Sequence, residues 1–141
     1  MATRNTLKLK ELIYGILSGD ATLELLLGGA GRVRHANPQS LSDYPLVVYS
    51  FITETDNPYN VDQVGNIAQT TLLIECFSST SDSAQVDSLE DRVYELLHGQ
   101  RLSNSDIQMY SIYRDSRAPI FEPDIEVWKT ESVYTMSNAT I

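Results

Sequence analysis

The sequence predicts an α+β fold: a mostly antiparallel sheet of four to five strands with helices packed on one face. Three observations carry this expectation. Two long segments place apolar residues at the three-and-four spacing of a helix, near the start and in the second half. Strand-like segments with period-two alternation follow one another without an intervening helix, as hairpins require. At 141 residues and 42% hydrophobic composition, the chain can bury one ordinary core, into which helical stripes and a sheet face must both fit.

The elements follow in order. Leu9, Leu12, Ile13, Ile16 and Leu17 share one helix face, with Asn5 or Thr6 available as cap and Gly19 just past the end. Asp20 then caps a second, short helix carrying Leu23, Leu26 and Leu27, which runs into Gly28, Gly29 and Gly31. Val33 to His35 is a short strand, and Asn37-Pro38 and Asp43 to Pro45 punctuate the approach to the next. From Leu46 to Thr53, Val47, Tyr49 and Phe51 alternate with Leu46, Val48 and Ile52, an apolar pattern on both faces that predicts a central strand. Thr55 to Asn66 reads as an overlong hairpin loop. The strand after it, Ile67 to Phe77, turns Ala68, Thr70, Leu72, Ile74 and Cys76 toward the core. Asp82, with Gln85 three residues later, caps a helix whose buried stripe is Val86, Leu89, Val93, Leu96 and Leu97 and which Gly99 stops. Asp87, Glu90, Asp91 and Glu95 are placed on its solvated face. Ile107 to Arg114 is a strand, the prolines between Arg117 and Pro123 end it, and Ile125 to Met136 is a last strand containing Trp128. One domain over residues 1–141 accounts for the whole chain.

Charge narrows the function. Ten Lys and Arg against nineteen Asp and Glu give −9, which disfavours adhesion to nucleic acid. Residues 1–35 carry +2, from Arg4, Lys8, Lys10, Arg32 and Arg34 against Glu11, Asp20 and Glu24. The stretch from Glu54 to Glu95 holds nine acids and one base, Arg92, an asymmetry that suits oriented docking against partners. The start has no apolar signal region and no segment is long and apolar enough for a membrane helix, so no membrane partner is expected. A single cysteine excludes an internal disulfide and fits synthesis in a reducing cytoplasm.

Motifs for catalysis are missing. Gly28-Gly29-Ala30-Gly31 follows a helix and lacks the Lys-Ser or Lys-Thr of a phosphate loop, so it reads as a helix end and turn. Cys76 is expected in the core as a small hydrophobe, and neither His35 nor His98 has the neighbours of a general base. No hydrolase or zinc motif is present, and no enzyme activity, cofactor or metal is expected. Aromatic residues remain. Tyr44, Tyr59, Tyr110, Tyr113 and Trp128 are the candidates for contacts between subunits, because such side chains bury much area and keep a polar tip.

The order of features also resembles a known family. Leu17-Ser18-Gly19-Asp20 precedes a short leucine-rich helix. Arg32-Val33, Asn37-Pro38-Gln39 and Tyr44-Pro45-Leu46-Val47-Val48-Tyr49 follow, then Ile74-Glu75-Cys76-Phe77-Ser78-Ser79, the helix from Asp82 to Gly99 and the tryptophan-bearing last strand. In this the chain resembles the tail-terminator (tail-completion) proteins of long-tailed bacteriophages over nearly its whole length. The resemblance implies a virion protein at the tail-neck junction. It would form a hexameric ring on the tail tube protein, end tube polymerisation, and offer its other face to the neck or connector protein. A tail sheath is a further partner if the tail is contractile, and DNA is only cargo in the lumen. Acids of the hairpin region, Glu54, Asp56 and Asp62, are then expected at the lumen or a partner-facing rim. Two alternatives are a neck adaptor of similar architecture and a small non-enzymatic bacterial domain holding an anion with Arg32, Arg34 and the nearby glycines.

Overall fold

The computed structural model describes residues 6–29, 31–35, 44–56, 67–79, 83–103, 107–124 and 126–140. Among them the order is α1 (Thr6–Ser18), α2 (Ala21–Leu27), β1 (Val33–His35), β2 (Leu46–Asp56), β3 (Ile67–Phe77), α3 (Ser83–Leu97), β4 (Ile107–Glu122) and β5 (Val127–Thr140). The strands form one five-stranded sheet in the order β1-β2-β3-β5-β4. Only β1 and β2 run parallel; the other three pairings are antiparallel. This is the predicted α+β class.

The helices cap as their sequences dictate. The Asp20 carboxylate accepts the Leu23 backbone N–H at 2.8 Å and starts α2, satisfying one of the donors a helix N-terminus leaves open. Gly28, left-handed at φ 80, ends it, with Gly28 N–H on Leu25 O and Gly29 N–H on Glu24 O. Gly99, also left-handed, stops the turn after α3 and donates to Ile112 O at 2.7 Å, joining that helix end to β4.

The core lies between the helices and one sheet face. Leu9, Ile13 and Leu17 of α1, Leu23 and Leu27 of α2, and Val86, Leu89, Val93 and Leu97 of α3 meet Val47, Tyr49, Leu72, Ile74, Cys76, Ile112, Tyr134 and Met136. On the opposite sheet face Leu46, Val48 and Phe77 form a second buried cluster, against which Tyr44 packs. This explains why β2 is apolar on both sides. It is not the middle strand, however; β3 is, and β2 lies second from the edge.

Three boundaries differ from expectation. β2 runs on to Asp56 with Asp56 opposite Ala68, so Glu54 and Asp56 belong to a paired strand rather than to a loop. β4 continues through Pro119 to Glu122 because it is the edge strand, where a residue without an N–H forfeits no ladder bond on the outer side. β5 starts at Val127 and reaches Thr140. The expected cap Asp82, the Asn37-Pro38 punctuation and most of the Thr55 to Asn66 loop lie outside the described residues.

Candidate interaction surfaces

Among the described residues, Arg92, Arg114, Arg117 and Lys129 pair with carboxylates of their own subunit. Arg92 of α3 binds Asp20 through two bonds, Nε to Oδ2 at 2.8 Å and an outer nitrogen to Oδ1 at 2.7 Å, and also reaches Glu95. The Arg92 hydrogen bonds hold the Asp20 carboxyl below its usual pKa, against the opposing effect of burial. One residue thus caps α2 and ties it to α3.

Glu90 corrects the sequence reading. It is fully buried, not on a solvated face, and its carboxylate accepts from Arg114 at 3.2 Å, Thr130 Oγ1 at 3.4 Å and Cys76 Sγ at 3.7 Å. The signal was present: Val86, Glu90, Val93 and Leu97 follow a four-three-four spacing, which puts Glu90 in the stripe. The Arg114 guanidinium lies 4.2 Å above the Tyr94 ring, Tyr94 stacks on His98, and His98 Nδ1 accepts the Arg114 backbone N–H at 3.0 Å. Cys76 is buried as expected, and burial followed by the Glu90 charge pushes its thiol well above the ordinary range. Asp87 is half-exposed, in keeping with the solvated face, and pairs with Arg117.

On the sheet face away from the helices, carboxylates gather at the Phe77 end. Lys129 of β5 bonds Glu122 and Glu131 at 2.9 Å and Glu75 at 3.2 Å, while lying over the Phe77 ring. Burial works against its charge, but Glu131, Glu122 and Glu75 outweigh that and hold its pKa above the usual lysine value. Three carboxylates around one ammonium leave an excess of negative charge beside the stacked pair Tyr44 and Phe77, whose ring centroids are 5.3 Å apart. Burial, then the Glu122 charge, raises the Tyr44 hydroxyl pKa.

The interface candidates divide between two ends of the sheet. Tyr44 and Trp128 lie at the Leu46/Phe77/Val127 end; Trp128 is half-buried and meets Phe121 edge-on at 5.5 Å. Glu54 and Asp56 lie at the other end, opposite Thr70 and Ala68. Tyr110 is the extra residue of a bulge between Met109 and Ser111 near that same end, and Tyr113, 53% exposed, faces Thr135. Tyr59 and Asp62 lie outside the described residues. Arg32 donates to Pro45 O at 3.4 Å and borders a cleft of about 190 Å³ that Tyr14 and Glu24 also line, so the cleft carries both signs of charge; Arg34 donates to Gly31 O. Among the described residues no group of three or more His, Cys, Asp and Glu is arranged to hold a metal, and no helix is long and apolar enough to cross a membrane.

Comparison with known proteins decides the family. The profile described as Tail completion protein gp17 matches residues 11–134, spanning all but the ends of the chain. The chain belongs to the tail completion protein gp17 family. A solved chain titled "Virion of native gene transfer agent (GTA) particle" superposes with a TM-score of 0.71 at 20% identity, covering 93% of this chain and 94% of that one, which shows a shared fold. A search of the curated proteins finds no match. The tail completion protein is therefore a structural virion component of a phage-like tail or neck, and the surfaces described above are where its assembly contacts must be sought.

Proposed function

We propose that this tail completion protein is a tail terminator: residues 1–141 form one building block, and six copies close a ring on the end of the tail tube, stop its growth and dock the neck. No chemistry beyond binding is required of it. The observation that carries the reading is the separation of roles within the subunit. The helices cover one sheet face, while the other offers Glu75, Glu122 and Glu131 around a single Lys129. Such a surface turned toward a lumen would repel phosphates, so DNA would pass without sticking. The distal end of the β2–β3 hairpin, with Glu54 and Asp56, supplies a second acidic rim.

Tail length in particles lacking the protein is the decisive measurement. A terminator leaves tubes of uncontrolled length, whereas a neck adaptor leaves tails of normal length unattached to heads. Uniform tails that join heads normally would refute both. Light scattering on the protein with purified tubes should give an added mass near six times 15.8 kDa per tube end. Triple reversal of Glu54, Asp56 and Asp62 to Lys should cut phage yield while the isolated subunit stays folded; unchanged yield removes these acids from the rim.

A further inference from the structure

Two ion pairs join α3 to the edge strand: Glu90 with Arg114, and Asp87 with Arg117. The carboxylates are three residues apart on a helix and so share one face. The arginines are also three apart, yet in an uninterrupted strand residues at that spacing point to opposite faces. A bulge removes the conflict. Arg114 is opposite Tyr134 and Ser116 is opposite Val133, so Asp115 is the extra residue and Arg117 falls opposite Ser132. Tyr134 and Ser132 are both buried on the helix-covered side of β5, and both arginines therefore stand on that side. Directions agree too, since the helix numbering falls from 90 to 87 as the strand numbering rises from 114 to 117.

We propose that these paired charges are a register lock, which specifies the bulge at Asp115 and so decides which face of the outer half of β4, Ser116 to Glu122, is offered to solvent and to neighbouring subunits. The apolar pattern of the strand does not decide it. Pro119 and Phe121 alternate with Ala118 and Ile120, so a slip by one residue exchanges one apolar pair for another, and such two-faced strands hold their register weakly. Up to Arg114 the strand is fixed from α3 by Glu90, Tyr94 and His98. Beyond it, Arg117 on Asp87 and Glu122 on Lys129 meet their partners in only one register, and of the two only Arg117 is held from α3. The Phe121 contact with Trp128 exists only in the bulged arrangement, where the two residues are direct neighbours across the strands.

The test uses the isolated full chain, so it is independent of ring formation. Asp115 is deleted in the native background and in Asp87→Ala/Arg117→Ala, whose pair is partly exposed and whose loss leaves the core intact. Folding constants come from urea unfolding, and register from cross-strand amide and Phe121–Trp128 contacts by NMR. The deletion should lower the folding constant about three- to fivefold more in the native background than in the neutral one. Full-length Asp87→Ala/Arg117→Ala should show doubled resonances for Ser116 to Glu122, and the swapped pair Asp87→Arg/Arg117→Asp should restore a single set. Equal deletion costs in both backgrounds, or one native register in the neutral variant, would overturn the proposal.

Discussion

Replacing Tyr134 with Phe should stabilise the protein, and the sign of that change is the test. Tyr134 sits on the helix-covered face of β5 at 0% exposure, among the largest fully buried side chains, and among the described residues its hydroxyl has no hydrogen-bond partner. Burying a hydroxyl without a partner costs about 1–3 kcal/mol by protein mutational data. Phe keeps every ring contact and removes only the oxygen, and the small void left behind offsets a fraction of the gain. We therefore expect Tyr134→Phe to add about 1 kcal/mol at neutral pH, which for a chain of this length raises Tm by about 2–4 °C. The alkaline limb should change as well. Burial, and then the Glu90 charge, hold the native tyrosine pKa well above its usual value, so the unfolded chain loses this proton near pH 10 while the native state keeps it. Stability then falls as pH rises above about 10, and Tyr134→Phe should flatten that fall. Urea unfolding at pH 7 and pH 10.5 measures both effects. A loss of more than about 1 kcal/mol at neutral pH would refute the reasoning, because it would mean that the hydroxyl is satisfied by an internal water whose bonds Phe cannot make.

Other consequences follow from burial and charge. Leu89→Ala, at 0% exposure under α3, should cost about 3–4 kcal/mol and lower Tm by roughly 10 °C, while Leu25→Ala, at 81% exposure on α2, should shift stability by no more than about 0.5 kcal/mol; comparable losses would contradict the placement of the core. The Cys76 thiol should resist a soluble disulfide reagent in the native protein and react only at the rate of unfolding, which stopped-flow absorbance would follow. Asp20, with its carboxyl pKa lowered by Arg92, adds stability that is complete above the unfolded value near 4 and is lost as pH falls through the lower native value; acid titration of unfolding should show this slope in the native chain and not in Asp20→Asn.

What the sequence could announce is whatever periodicity and capping control. Leu9 to Leu17 and Val86 to Leu97 carry their helical faces openly, and Asp20 and Gly28 mark the ends of α2 before any coordinate is known. Strand boundaries are set by pairing instead. Thr53 to Asp56 extends β2 because Thr71 to Ala68 is there to receive it, and Pro119 persists in β4 because nothing lies beyond that edge in the described sheet. Glu90 shows a third limit: its residue type argues for solvent and its spacing for the core, and only the arrival of Arg114 from a bulged strand settles the conflict in favour of spacing. Of the interface candidates Tyr113 is exposed while Tyr44 and Trp128 are half-buried against core clusters, and the end of the sheet to which each belongs depends on register, which periodicity alone does not carry.

In the proposed ring, register in turn would constrain how copies assemble. From Leu46 to Asp56 the β2–β3 hairpin spans about 33 Å at the rise of an extended strand, so its two ends cannot form one site within a subunit. One end is aromatic, with Tyr44 on Phe77 and Phe121 against Trp128; the other includes Glu54 and Asp56. Rotational symmetry repeats each subunit in the same orientation, so any closed ring with the hairpin inclined to its axis gathers like ends on like sides. The two rims would then differ chemically without any further device, one presenting aromatic rings beside the carboxylates around Lys129 and the other carrying Glu54 and Asp56. A body that must bind different neighbours above and below needs that polarity. In the proposed ring it would follow from the pairing of two strands.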